Sequence, residues 1–189
     1  MKSLVLAAAF ALASTASFAA DKYKLDASHS QIVFSYNHLG FSTTYGMFSG
    51  FEGEIAYDEA HPAESSVSVS MPVAGMFTGW EKRTAHFLSP KMLDAASGGV
   101  IAFTSTGIEV TGEKTAKITG DLAINGTSKP IVLDAVLNKS GKHPQSEKEW
   151  LGFNATATVL RSEYGVDLAV PYVSDEVEIQ ISVEAEKVE

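Results

Sequence analysis

The chain of 189 residues contains no cysteine. It therefore has no disulfide, thiolate nucleophile, iron–sulfur centre or thiol-ligated metal, and an exported chain of this kind is held together by core packing alone. Basic residues are scarce, with 14 Lys and Arg against 23 Asp and Glu and a net charge of -9 at pH 7. Nucleic-acid phosphates require clustered Lys and Arg, so the balance argues against nucleic acid as a partner. It argues equally against purely electrostatic docking on anionic lipid. Beyond the N-terminus no apolar run approaches the ~20 residues of a spanning helix. There is no Gly-rich phosphate loop after a strand, no nucleophile elbow and no zinc-protease pattern. Linkers, low-complexity segments and internal repeats are also missing, which leaves one domain.

The N-terminus has the three parts of an export signal. Met1-Lys2 is a short positive start, Leu4 to Leu12 is apolar and alanine-rich, and Ser17-Phe18-Ala19 places small residues at the −3 and −1 positions. Residues 1–19 are expected to be a cleaved signal peptide and residues 20–189 a single domain working outside the cytoplasm. Losing Lys2 takes the net charge from -9 to about −10. With no lipid-anchor cysteine, the expectation is a soluble exported protein.

The dominant pattern in the remaining chain has period two. Ile32, Phe34 and Tyr36 alternate with Val33, Ser35 and Asn37, and Val67, Val69, Met71 and Val73 with Ser66, Ser68, Ser70 and Pro72; Ile131, Leu133, Ala135 and Leu137 do the same, as do Val177, Ile179, Ile181 and Val183 against acidic and polar partners. Such alternation places one set of side chains on one face of a sheet. Further strands are expected at 53–57, 100–105, 108–111, 115–124 and 153–160. Asn125-Gly126 reads as a tight hairpin because both residues tolerate positive φ. Residues 58–64 and 139–149 read as longer loops. From Gly79 to Ala96 the alternation stops. Ala85, Leu88 and Met92 recur at helical spacing with Lys82, Arg83 and Lys91 facing elsewhere, which predicts an amphipathic helix re-aimed at Ser89-Pro90. The expected fold is all-β, an antiparallel barrel with one helical flap, and a β-sandwich satisfies the same alternation.

Inward volumes are uneven. Phe34, Tyr36, Phe51, Phe103 and Phe153 are large, whereas Ala135, Ala155 and Ala157 are small. Small inner residues either let a barrel close-pack or leave a channel, and both remain open from the pattern. An apolar channel suits a long hydrocarbon tail, since each buried methylene contributes ~0.8 kcal/mol. The five histidines, His29, His38, His61, His86 and His143, form no metal-like pair. Glu52 and Glu54 fall on the wet face and offer no acid–base pair. Lys82, Arg83 and His86, beside Trp80 and Phe87, are placed to meet an anionic or polar head group at a channel mouth.

Certain residues, in order, resemble the YceI-like family of exported proteins. They begin with Tyr23-Lys24-Leu25-Asp26, His29-Ser30, Phe34 to Gly40, and Tyr45-Gly46-Met47-Phe48 with Phe51 and Gly53. They continue with Arg83, His86, Ser89-Pro90, Leu93-Asp94, Phe103 to Thr106, Gly120-Asp121-Leu122, Asn125-Gly126-Thr127 and Lys129-Pro130. They end with Gly152-Phe153, Arg161, Tyr164-Gly165 and the alternating run from Val177 to Glu184. Thr84 stands where the family commonly has an acid, and Ser97-Gly98-Gly99 replaces a tyrosine–proline segment.

The resemblance implies an extended lipocalin-like barrel, periplasmic, linked to stress responses and not catalytic. It implies a long isoprenoid or similar lipid in the barrel, such as a polyprenyl phosphate or a quinone, held as by a carrier or sensor, with the helix near the entrance. The expected ligand-binding residues are Phe34, Tyr36, Phe51, Met71, Phe77, Trp80, Arg83, His86, Phe87, Leu88, Phe103, Leu133, Phe153, Ala155 and Ala157. No catalytic residue, metal or cofactor other than a bound lipid is expected, and a homodimer is left open. Two readings compete with this one: a partner-binding barrel with a filled core, and a lipid-modifying enzyme.

Overall fold

The computed structural model describes residues 20–188, so the expected signal peptide lies outside the described residues. The described chain forms eleven strands and one α-helix. The strands are β1 (Asp21–Leu25), β2 (Gln31–His38), β3 (Ser42–Phe48), β4 (Glu52–Tyr57), β5 (Ser66–Pro72) and β6 (Met76–Phe77). After helix α1 (Glu81–Phe87) come β7 (Val100–Val110), β8 (Thr115–Ile124), β9 (Thr127–Lys142), β10 (Glu149–Leu160) and β11 (Glu176–Lys187).

All named pairings are antiparallel, and they close on themselves. Strand β11 pairs along one half with β1, Leu25 facing Ala185, and along the other half with β2, Ile32 facing Ile181. Thus β1 and β2 are two halves of one long strand bent at 26–30. In the same way β3 pairs with β2 while β4 pairs with β1, and β6 pairs with β3 while β5 pairs with β4. Counting each bent pair as one strand gives an eight-stranded barrel, closed where β1 meets β11. Eight strands enclose just enough room for packed side chains or one ligand. Strand β9, sixteen residues long, extends about 50 Å at ~3.3 Å per residue, so the barrel is deep.

The sheet pattern follows the alternation closely. Phe34, Met71, Phe103, Leu122, Leu133 and Ala155 are buried while their neighbours along each strand are less so. The Asn125-Gly126 turn has φ of 50° and 73°, the left-handed pair that a two-residue hairpin needs. Two expected strands, at 100–105 and 108–111, are one continuous strand with a register shift between Ser105 and Gly107. The expected loop at 139–149 is shorter, because β9 runs to Lys142 and β10 begins at Glu149.

The helix differs most. It spans seven residues rather than reaching Ala96. Pro90 has no N–H to continue the ladder. Beyond it the chain turns back, with Leu93 N–H donating to Phe87 O and Ala95 N–H to Leu88 O. The inward face agrees with expectation at Lys82, Arg83, His86, Phe87 and Met92 and departs from it at Ala85 and Leu88. Ala85 and Leu88 line a shallow outer groove with Phe77, whereas Lys82, Arg83, His86, Phe87 and Met92 border the barrel interior.

Candidate functional site

The barrel interior is hollow. A cavity of about 760 Å³ runs from the Gly112–Thr115 turn and the 62–66 loop at one end to α1 at the other. That volume lies within the ~300–1,000 Å³ typical of small-molecule sites. Its long wall is apolar: Ile32, Val69, Ile101, Ile131, Leu137, Val177, Ile179 and Ile181 contribute from five strands. Ala135 and Ala155 face each other across the β9–β10 ladder, so the wall is thinnest in side-chain volume there. Phe34 lies against Gly46 on the neighbouring strand. A Cβ at position 46 would sit 2.2 Å from the ring, so glycine there lets the ring lie flat on the wall. The Phe34 and Phe48 rings are 5.5 Å apart, and Tyr36 meets Phe87 of α1 edge-on at 5.9 Å.

Twelve of the fifteen expected residues line this cavity: Phe34, Tyr36, Phe51, Met71, Trp80, Arg83, His86, Phe87, Phe103, Leu133, Phe153 and Ala155. Three do not. Phe77 is 62% exposed, because on the two-residue β6 it is Met76 that turns inward. Leu88 packs against the core and borders the outer groove rather than the cavity. Ala157 packs against the core without reaching the cavity. It lies one residue past the last β9–β10 pair, Thr156 with Asp134, where Tyr164 and Val166 complete the wall. Alternation gave no access to those two residues, nor to Arg161, because all three sit in the irregular segment between β10 and β11.

Charge in the lining is segregated. At the α1 end stand Lys82, Arg83, His86, His38 and Arg161, and Glu113 is the one carboxylate among the described lining residues, at the far end beside Lys114. The Arg161 guanidinium donates to four backbone carbonyls, those of Ser174 (2.9 Å), Val166 (2.5 Å), Leu168 (3.0 Å) and Val173 (2.9 Å). Burial pushes its pKa down, opposed by Asp175 and Asp167. Arg161 is therefore committed to holding its loop. Arg83 is held more loosely, by a 3.4 Å bond to Thr78 O and by stacking 5.7 Å from the Trp80 ring centroid. Deeper in, Tyr164 is 1% exposed and its hydroxyl has no hydrogen-bond partner among the described residues. Burial, with a smaller push from Glu163, raises its pKa.

Two carboxylate–histidine clusters, Asp26–His29–Glu184 and Asp58–His61–Glu64, bring donor atoms within 4.8 Å of one another. Both lie outside the cavity lining. In each the aspartate already serves its own turn, Asp26 accepting from Ser28 and Asp58 from the N–H groups of Ala60 and His61.

The geometry has counterparts. The YceI-like domain profile matches residues 23–185. A UPF0312 protein of Pseudomonas putida strain W619 is 35% identical over 184 residues, covering 96% of this chain and 95% of that one. The crystal structure of the Campylobacter jejuni YCEI protein superposes with a TM-score of 0.72 at 29% identity, covering 81% of this chain and 90% of that one. A polyisoprenoid binding domain from Saccharophagus degradans shares the fold, with a TM-score of 0.66 at 13% identity over 88% of this chain and 98% of that domain.

Proposed function

This chain belongs to the YceI-like family, and from that premise we propose that it holds one long apolar lipid, an isoprenoid or a comparable chain, along the barrel axis. The tail lies against the aliphatic wall and the head group lies at the α1 end. The observation that carries this reading is the deep cavity, apolar along its length and cationic at one mouth. A tail of ten to twenty carbons contributes roughly 8–16 kcal/mol on burial, enough to offset an association cost of about 4–15 kcal/mol. The Saccharophagus degradans neighbour is described as polyisoprenoid binding, which supports the same ligand class here.

Binding, rather than catalysis, is the role the site supports. The histidine–carboxylate contacts among the described residues, His29–Asp26 and His61–Asp58, lie away from the cavity. With the export signal expected at residues 1–19, the reading is a periplasmic carrier or sensor for a lipid that water does not dissolve. Mass spectrometry of gently purified protein tests this. The expected result is a prenyl or similarly long lipid at close to one per chain. Protein that emerges empty, and stays empty when offered polyprenyl phosphate or a quinone, overturns the reading.

A further inference from the structure

Three loop tips at the α1 end expose aromatic and aliphatic side chains and carry no charge. Residues 39–45 present Leu39 and Phe41, residues 77–80 present Phe77 and Trp80, and residues 168–174 present Leu168 and Tyr172. Phe41 is 89% exposed and Tyr172 76%. The opposite end is built differently, with Asp58, Glu59 and Glu64 in one loop and Glu147 and Lys148 in another. The tips themselves are uncharged, with Glu81, Asp167 and Asp175 flanking them, so the exposed aromatic side chains are what distinguish this surface.

The tips are held, not loose. Leu39 N–H donates to Tyr172 O at 3.1 Å, and Ser174 N–H to Asn37 O at 3.0 Å, so the first and third tips are stitched together. Arg161 grips the third tip by the carbonyls of Leu168 and Val173. Leu39 and Ala169 both adopt left-handed backbone, with φ of 57° and 64°, which costs a non-glycine residue about 1–2 kcal/mol. A chain that spends strain and a half-buried arginine on keeping Phe41 and Tyr172 in water has a use for them there.

We propose that these three tips are a docking platform that seats the cavity mouth on the interfacial zone of a phospholipid bilayer. Trp and Tyr suit that zone, with an apolar body and a polar edge. Trp80 and Leu168 belong both to the tips and to the cavity wall, so the exposed patch is continuous with the mouth. Lys82 and Arg83, on the mouth side of α1, meet phosphate head groups, while the flanking acids Glu81, Asp167 and Asp175 sit at the bases of the tips rather than on them. A second copy of the chain seated on the patch would instead seal the cavity. The contact goes beyond the lipid-binding reading and is tested without it.

The test is co-sedimentation of the purified protein with vesicles of phosphatidylethanolamine and phosphatidylglycerol, roughly 3:1, in about 0.15 M salt. It is paired with quenching by brominated phospholipid in a Trp150→Phe variant, which leaves Trp80 as the one tryptophan. The protein is expected to partition onto the vesicles and Trp80 to be quenched. Phe41→Ser combined with Tyr172→Ser should lower partitioning roughly tenfold or more, while lipid co-purifying in the cavity is unchanged. Phe41→Ser alone, at a position that packs against nothing, should give part of the effect. No partitioning, or partitioning without quenching of Trp80, overturns the proposal. So does a dimer in solution that the double substitution disperses without any vesicle binding. Loss of the co-purifying lipid along with vesicle binding also overturns it, because the tips would then serve to close the cavity.

Discussion

At the scale of single residues, alternation assigns a side chain to a face but not to a depth. Ala155 and Ala157 share a face of β10, yet Ala155 borders the cavity and Ala157 does not, while the larger Val159 further along the same face does. The aromatic wall residues Phe34, Phe103 and Phe153 were legible from their strands. Tyr164 and Arg161 were not, since a short irregular turn has no period to read. Ala155→Phe should place a ring in the void, abolish retention of lipid and cost less than the ~1–3 kcal/mol of overpacking a filled core. Lipid mass spectrometry beside a thermal melt checks both halves, and an overpacking-sized loss would mean the space is already filled. Tyr164→Phe separates wall from ligand. Its hydroxyl has no partner among the described residues, so its removal should leave the lipid-free fold as stable or up to about 1–3 kcal/mol more so. If a polar ligand atom serves that hydroxyl, affinity for a headed lipid should drop roughly two- to tenfold, with no change for a plain hydrocarbon chain. Competition between two such ligands reads the difference.

At the scale of elements, most strands were readable from alternation, whereas β1, β3, β6 and the bends were not. Residues 26–30 break one long strand into β1 and β2, and nothing periodic marks the place. Local hydrogen bonds build the joint. Buried Ser30 bridges to the backbone of Glu184, its hydroxyl accepting from the Glu184 N–H at 3.2 Å. Asp26 accepts from Ser28 and lies 2.5 Å from His29. The Ser28 hydrogen bond, then His29, hold the Asp26 carboxyl below its ordinary 3.8. The hydrogen bond to Asp26 holds His29 above its ordinary 6.5. A lowered carboxylate contributes stability that is present above pH ~3.8 and lost as pH falls through the lowered value. A raised histidine contributes stability that is present below pH ~6.5 and fades as pH rises through the raised value. The joint is therefore tightest between about pH 4 and 6.5. An NMR titration should place the His29 midpoint above 6.5, and Asp26→Asn should bring it back toward that value. An unchanged midpoint in the variant would assign the shift to Glu184 instead. Helix α1 gives the converse lesson. The sequence marked it by the loss of alternation, but a seven-residue helix is too short for its stripe to fix which side faces in. Packing of Phe87 on Tyr36 decided that.

At the scale of the whole molecule, eight long strands closing through β1 and β11 could not be read from periodicity, because pairing between distant segments leaves no local trace. Hollowness was equally hidden, being a property of summed volumes around a closed wall rather than of any strand. It has a thermodynamic consequence. Wall atoms facing a void lack partners and forgo dispersion contacts that a packed interior would supply. A lipid in the cavity restores those contacts in the folded state and has no site in the unfolded chain, so it stabilises by mass action. At a free ligand level one hundred times its Kd the gain is ~2.7 kcal/mol. For a chain of this size each kcal/mol moves Tm by about 2–4 °C. Protein stripped of lipid by organic extraction and refolded should therefore melt roughly 5–11 °C below the protein as purified. Reloading with a long prenyl chain should recover the difference, and Ala155→Phe should melt at one temperature whether or not lipid is offered. If stripped and loaded wild-type proteins melt together, the interior gains nothing from its guest, and the barrel must be stable as an empty tube.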